Sequence, residues 1–306
     1  MSEPVIRVRG LEKRYGARRA LAGIDLTVDD RQIFGIVGPD GAGKTTLLRA
    51  LAGLLEVTAT EARVLAVDLT GDVTALKARL GYVPQAFSLH RDLTIAENLR
   101  FTARVHRLDD AVFRERVAAL LERTKLAPFA DRPAGALSGG MRTKLAVANA
   151  LLVQPALLLL DEPTAGVDVL ARAEIWTMLE AERSRALVVM STSYLDEAAA
   201  CDRLAYLDAG HVVASGTPAE LRAATPLELY RAWSTDVHGV ARAARALPYV
   251  EGARATGHYA RVEVRRERTP GTRRVLDDLA GLPGVQFAEP LPPDMESTLL
   301  GLAVHA

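Results

Sequence analysis

The chain has 306 residues, with 38 lysines and arginines against 38 aspartates and glutamates, and is 49% hydrophobic and 25% charged. That balance excludes a disordered or fibrous chain. Zero net charge excludes a global field for nucleic acid or an anionic membrane, while leaving local basic sites open. The arginines are scattered and form no binding tract. A single cysteine, Cys201, excludes a disulfide framework and a multi-cysteine zinc site, and fits a reducing compartment. The start, Met1-Ser2-Glu3-Pro4, lacks the basic and apolar regions of a signal peptide. No run approaches the ~20 apolar residues that span a bilayer. The best candidate, residues 145–160, is interrupted by Asn149, Gln154 and Pro155, so any membrane role is expected to come through a partner.

In chain order, short strands are predicted at 5–8 and 23–28, then a buried strand at 33–37, a glycine-rich turn and a helix at 44–54. A strand follows at 79–83, and helical spacing of apolar residues covers 93–105 and 110–124. The pattern continues with a helix at 141–153, a strand at 156–160, a helix at 170–183, a strand at 187–191 and a helix at 196–200. Residues 204–208 and 211–214 read as a hairpin around Ala209-Gly210. This alternation predicts an α/β domain with a largely parallel core sheet. A boundary is placed near Ala224-Thr225-Pro226, giving domains 1–224 and 225–306. The second reads as strand 227–233, helix 240–247, strand 250–255, strand 259–265, helix 272–282 and strand 285–288. That βαββαβ order predicts a small α+β, ferredoxin-like domain. There is no internal repeat and no low-complexity tract.

Three motifs carry chemistry. Gly38-Pro39-Asp40-Gly41-Ala42-Gly43-Lys44-Thr45 matches GxxxxGK[ST] between a strand and a helix, and Thr46 continues it. In such a loop, backbone N–H groups wrap phosphates at a helix N-terminus. Lys44 meets the β- and γ-phosphates, and the Thr45 hydroxyl meets Mg²⁺. The apolar run Leu157-Leu158-Leu159-Leu160 ends in Asp161 and Glu162. At a strand's carboxyl end, Asp161 is placed for the Mg²⁺ shell and Glu162 to polarise an attacking water. In Leu137-Ser138-Gly139-Gly140-Met141, Ser138 can cap the following helix, and Gly139 and Gly140 leave its N-terminus open to an anion.

In order and spacing, these motifs resemble the ATP-binding cassette (ABC) ATPases over residues 4–220. The resemblance implies a P-loop NTPase fold with a helical signature subdomain, ATP and Mg²⁺ as cofactors, and ATPase activity. Residues 137–141 resemble the family signature, with Met where Gln is usual, as in bacterial drug-exporter ATPases. By resemblance, Ser138 and Gly140 contact the γ-phosphate held by a second nucleotide domain, and Tyr15 stacks on adenine; alternatively Tyr15 is a half-buried strand-edge tyrosine. Gln85, in Tyr82-Val83-Pro84-Gln85, matches the glutamine that reaches Mg²⁺ and senses the permease. Residues 165–168 match the loop that contacts the second cassette. Phe87, Leu89 and Leu93 are either anchors for a permease helix or ordinary core contacts.

Departures from the pattern are informative. Ser193, in Ser191-Thr192-Ser193-Tyr194-Leu195-Asp196-Glu197-Ala198, stands where the family has a histidine that contacts the γ-phosphate and attacking water. A hydroxyl is shorter than imidazole and has no cationic form, so it does not replace the ring geometrically. Asp40 replaces an asparagine in the phosphate loop; its expected role is to cap the turn or point away. Ala59-Thr60 replaces a Ser-Gly turn, with no evident consequence.

The resemblance extends to the daunorubicin-resistance type of exporter ATPase and to the first half of tandem ATPases in bacterial multidrug exporters. The expectation is an exporter subunit, peripheral on the cytoplasmic face of the cell membrane. It would couple ATP to transport by a separate membrane permease. A separate ATPase chain or a second copy would complete the dimer, and no nucleic-acid partner is expected. Ser193 implies a hydrolysis-impaired site on this chain's own phosphate loop. The alternative is a non-hydrolysing, ATP-gated regulatory module.

Overall fold

The computed structural model describes residues 3–29 and 31–303; Met1 and Ser2, part of the N-terminal reading above, lie outside them. Two compact units are present, Met1–Ser215 and Gly216–Ala306.

The first unit begins with β1 (Ile6–Tyr15), β2 (Arg18–Val28) and β3 (Ile33–Val37), then α1 (Lys44–Leu51), β4 (Glu61–Val64), β5 (Val67–Asp68), α2 (Thr74–Lys77) and β6 (Leu80–Val83). Three helices follow: α3 (Ile95–Val105), α4 (Asp110–Arg123) and α5 (Gly139–Leu151). It continues through β7 (Leu157–Asp161), α6 (Val169–Glu182), β8 (Leu187–Thr192), α7 (Leu195–Ala200), β9 (Arg203–Asp208) and β10 (His211–Gly216). A six-stranded sheet has the order β10-β9-β3-β8-β7-β6. Its pairs β3–β8, β3–β9, β7–β8 and β6–β7 are parallel. Every residue of β3, β7 and β8 is buried, because helices cover both faces, and such strands carry no polar alternation. Leu47, Leu48 and Leu51 of α1 pack on one face beside Leu157 and Leu159. Leu145 and Ala148 of α5 and Ile175 and Leu179 of α6 pack on the other beside Leu158 and Leu160.

A second sheet, β2-β1-β4-β5, is antiparallel and longer than the sequence indicates. Its strands begin at 6 and 18 and run as far as Tyr15 and Val28, because a register shift after Val8 interrupts the in–out alternation of β1. The β4–β5 hairpin was not predicted. Leu65 and Ala66 form its two-residue turn with φ of 50° and 64°, without the Asn-Gly pair that usually marks that turn. Helix α3 starts at a capping box: Thr94 Oγ1 accepts from Glu97 N, and Glu97 accepts from Thr94 N.

The second unit contains α8 (Pro218–Ala224), β11 (Leu227–Ser234), α9 (Val237–Ala244), β12 (Val250–Thr256), β13 (Tyr259–Arg265), α10 (Thr272–Ala280), β14 (Val285–Leu291) and α11 (Met295–Ala303). Its strands are ordered β12-β13-β11-β14, and each neighbouring pair is antiparallel. Val240, Ala244, Val275 and Leu279 pack with Tyr230, Ala232, Val262 and Val264 as the core. Helix α11 was not predicted. Asp294 caps it, accepting from Ser297 N at 2.9 Å, and binds the buried Arg261 guanidinium through both carboxylate oxygens at 2.5 and 2.9 Å.

Candidate functional site

The phosphate loop runs from the carboxyl end of β3 into α1, as motif and context require. Gly43 is the N-cap at φ 111°, a conformation side chains resist, and a Cβ there would sit 2.6 Å from Ala20 O. Lys44 is 5% exposed. Its Nζ donates to Gly38 O at 2.8 Å, Pro39 O at 3.2 Å and Ser193 Oγ at 2.9 Å, and lies 3.3 Å from Glu162 Oε1. A cleft of ≈520 Å³ opens beside it, lined by Tyr15, Gly41, Thr45, Thr46, Gln85 and Glu162, among others. Gly38 and Pro39 contribute to the site through their carbonyls. Ala42 is buried, so it supports the loop from behind.

Asp40 does not cap the turn. Its side chain is 97% exposed and makes no hydrogen bond among the described residues, with Oδ1 3.9 Å from Lys44 Nζ. Asp40 lines the cleft, and its exposure lets water screen the carboxylate from a bound phosphate.

The end of β7 supplies the acidic groups, and the end of β8 the hydroxyls beside them. Asp161 is fully buried, and its Oδ1 accepts from Thr45 Oγ1 at 3.0 Å and Ser191 Oγ at 2.8 Å. Asp161 Oδ2 is buried with no partner among the described residues. Such an orphaned oxygen, on the carboxylate that accepts from the Thr45 hydroxyl, fits the oxygen-donor shell of Mg²⁺. Glu162 has φ 48°, an uncommon conformation outside glycine, and its N–H donates to Ser191 Oγ at 2.9 Å. Gln85 Nε2 donates to Glu162 Oε2 at 2.9 Å, and Ser193 Oγ donates to Glu162 Oε1 at 3.2 Å. Despite its short reach, Ser193 therefore bridges Lys44 and Glu162. Lysine, both carboxylates, Gln85 and Ser193 form one hydrogen-bonded cluster.

Other candidates stand apart from it. Ser138 caps α5, accepting from Met141 N at 3.3 Å. Gly140 packs against α6, and a Cβ there would lie 2.6 Å from Ala171 Cβ. Gly139 lines a neighbouring cleft of ≈350 Å³ with Phe87, Arg142 and Val167, which shares Gln85 and Glu162 with the first. None of the three lines the phosphate-loop cleft. Phe87 and Leu89 are half-buried against the core, which satisfies them as packing residues. Asp168 caps α6 by accepting from Ala171 N at 2.9 Å, and Val169 and Leu170 beyond it are exposed.

Three contributors were missed. Ser191 lies directly opposite Asp161 in the β7–β8 register and holds both Asp161 and the Glu162 N–H. Buried Glu197 accepts from Thr164 and Thr192, each at 2.5 Å, and so ties the segment after Glu162 to the one bearing Ser193. Arg18 pairs with Tyr15 in the β1–β2 register, donates to Gly41 O at 3.2 Å and lines the cleft. The arginine alone carried no signal; its placement depends on that pairing.

A sequence profile for ABC transporters matches residues 21–165. The probable multidrug ABC transporter ATP-binding protein YbhF of Escherichia coli (strain K12) is 39% identical over 300 residues, 95% of this chain and 51% of its own length. The chain thus spans about half the length of that relative. The daunorubicin resistance ATP-binding protein DrrA3 of Streptomyces coeruleorubidus is 40% identical, with 74% of this chain and 72% of that protein covered. Among solved structures, the dimeric post-hydrolysis state of the ATP-binding cassette MJ0796 with ADP and Pi superposes with a TM-score of 0.64 at 25% identity, over 69% of this chain and 98% of that one. Among the described residues, no helix is long and apolar enough to cross a membrane.

Proposed function

Because this chain belongs to the family of ABC transporter ATP-binding proteins, we propose that it is the ATP-binding subunit of a bacterial exporter of the multidrug type. It would work peripherally on the inner face of the cell membrane, coupling ATP to transport by a separate permease. The observation that carries this reading is the cluster joining Lys44, Asp161, Glu162 and Gln85 at one cleft. Residues 1–215 act as the nucleotide-binding domain and 216–306, from a boundary earlier than the expected 224/225, as an accessory domain, for which the strand order β12-β13-β11-β14 supports a ferredoxin-like reading.

Tyr15 stacks on the base, the loop amides and Lys44 hold the phosphates, and Glu162 orients the attacking water. Thr45, Gln85 and Asp161 hold Mg²⁺, which when bound neutralises phosphate charge. Ser138, Gly139 and Gly140 lie away from this cleft, so they serve the γ-phosphate of a second cassette, from another chain or another copy. The dimeric cassette with ADP and Pi supports that arrangement. Closure of the pair is driven by contacts that ATP makes only in the closed state.

Where the second cassette is a different chain, Ser193 makes the two sites unequal; two copies of this chain carry Ser193 at both. The hydroxyl holds Glu162 beside Lys44 but supplies no imidazole to the γ-phosphate or water, so this chain's own site binds ATP and hydrolyses it slowly. The ion pair between Lys44 and Glu162 also favours a second reading, a purely ATP-gated module. Binding of MgATP by the purified chain, abolished by Lys44→Ala, tests the nucleotide site itself. In a heterodimer with a second cassette chain, Ser138→Arg stops hydrolysis and Glu162→Gln has the smaller effect. Loss of all turnover on Glu162→Gln overturns the asymmetry.

A further inference from the structure

A third cavity, in the second unit, is lined by basic side chains. From Gly216 to Ala306 the chain has eleven arginines and eleven carboxylate side chains, so the unit is balanced overall. Yet a groove of ≈470 Å³ is lined by His238, Arg242 and Arg245 of α9 and its C-terminal turn, with Arg254 of β12, and by no carboxylate. The helix spacing i, i+4, i+7 sets the first three on one stripe. Arg242 and Arg245, three residues apart, carry like charges that repel.

The neighbouring acids already have partners, and one of them, Glu296, pairs with Arg254 of the groove itself. Asp236 caps α9 through Gly239 N at 2.9 Å, and Glu296 accepts from Arg254 at 3.1 Å. Glu251 binds Arg265. Arg245 Nε donates to Ala253 O at 2.7 Å, which fixes that guanidinium at the groove wall. Arg242 is exposed and has no hydrogen-bond or ion-pair partner among the described residues. Arg242 and Arg245, which have no carboxylate partner among the described residues, and the His238 imidazole line one groove, a donor set suited to phosphate oxygens.

We propose that this groove between α9 and β12 binds a phosphate-bearing ligand, either an anionic lipid headgroup or a soluble phosphate. The site is separate from the nucleotide cleft, and its failure leaves the ATP reading untouched. The test uses the full chain with its phosphate loop filled by MgADP. In one arm, inorganic phosphate is titrated and amide NMR shifts of residues 238–245 are followed. In the other, flotation is measured with vesicles of phosphatidylglycerol in phosphatidylcholine and with phosphatidylcholine alone. Binding in the first arm only identifies a soluble phosphate; binding in the anionic-vesicle arm identifies a headgroup. Arg242→Glu, which breaks no bond, weakens whichever binding is seen by about thirtyfold, with an unchanged melting midpoint. Arg273→Glu on α10, an equal charge change, leaves it intact. Absence of binding in both arms, or equal losses from the two substitutions, overturns the proposal.

Discussion

Replacing Ser193 with alanine isolates the group on which the unequal sites rest. The substitution removes a hydroxyl that accepts from Lys44 at 2.9 Å and donates to Glu162 at 3.2 Å. Hydrogen bonds to charged groups are worth about 1.5–3 kcal/mol each. Neither charge is stranded by the loss. Lys44 keeps Gly38 O, Pro39 O and Glu162, and Glu162 keeps Gln85. The expected net cost is therefore about 1–2 kcal/mol, or a fall of roughly 2–8 °C in the melting midpoint of the first unit. The informative assay is a double-mutant cycle of Ser193→Ala with Glu162→Ala, read by denaturant unfolding. Contact between the two predicts a coupling of about 1 kcal/mol or more. Additivity within about 0.5 kcal/mol refutes the bridge and removes the structural basis for a restrained Glu162.

Gly140→Val drives a side chain into Ala171 Cβ, which a Cβ alone already approaches to 2.6 Å. It should cost about 1–3 kcal/mol in thermal unfolding while leaving MgATP binding to the chain's own cleft intact. Burial, reinforced by Glu197 and Asp202, pushes the Cys201 thiol up to about 12. A disulfide reagent at pH 8 should therefore label it only after denaturation, and rapid labelling of the native chain contradicts its burial. Burial alone would raise the Asp294 carboxyl, but Arg261 and Ser297 hold it below its ordinary value. A lowered folded-state value contributes stability above the ordinary carboxylate range, lost as pH falls through the folded value. Hydrogen-exchange protection factors in α11, corrected for the intrinsic pH dependence of exchange, should thus be level from neutral pH into mild acid and fall below it, and Asp294→Asn should abolish that acid dependence.

Motifs contiguous in sequence were legible, and those made by pairing were not. The loop 38–45 and the carboxylates 161 and 162 each sit where a strand meets a turn, so local pattern alone located them. Ser191 and Arg18 acquire meaning only through strand register. Their neighbours are Asp161 and Tyr15, each distant or unremarkable in the linear sequence. The β4–β5 turn lacks glycine, and α11 has weak apolar periodicity after Pro292-Pro293, so the usual punctuation was absent or misleading. Asp294, three residues before Ser297, was the overlooked cap signal.

The most direct measurement is single-turnover chemistry at this chain's own site. The assembled cassettes are loaded with radiolabelled ATP, chased with unlabelled ATP, and the labelled nucleotide remaining on this chain is counted as transport proceeds. Unequal sites predict that labelled ATP stays intact here through many turnovers of the partner site. Release of one labelled phosphate from this site in the first turnover contradicts them.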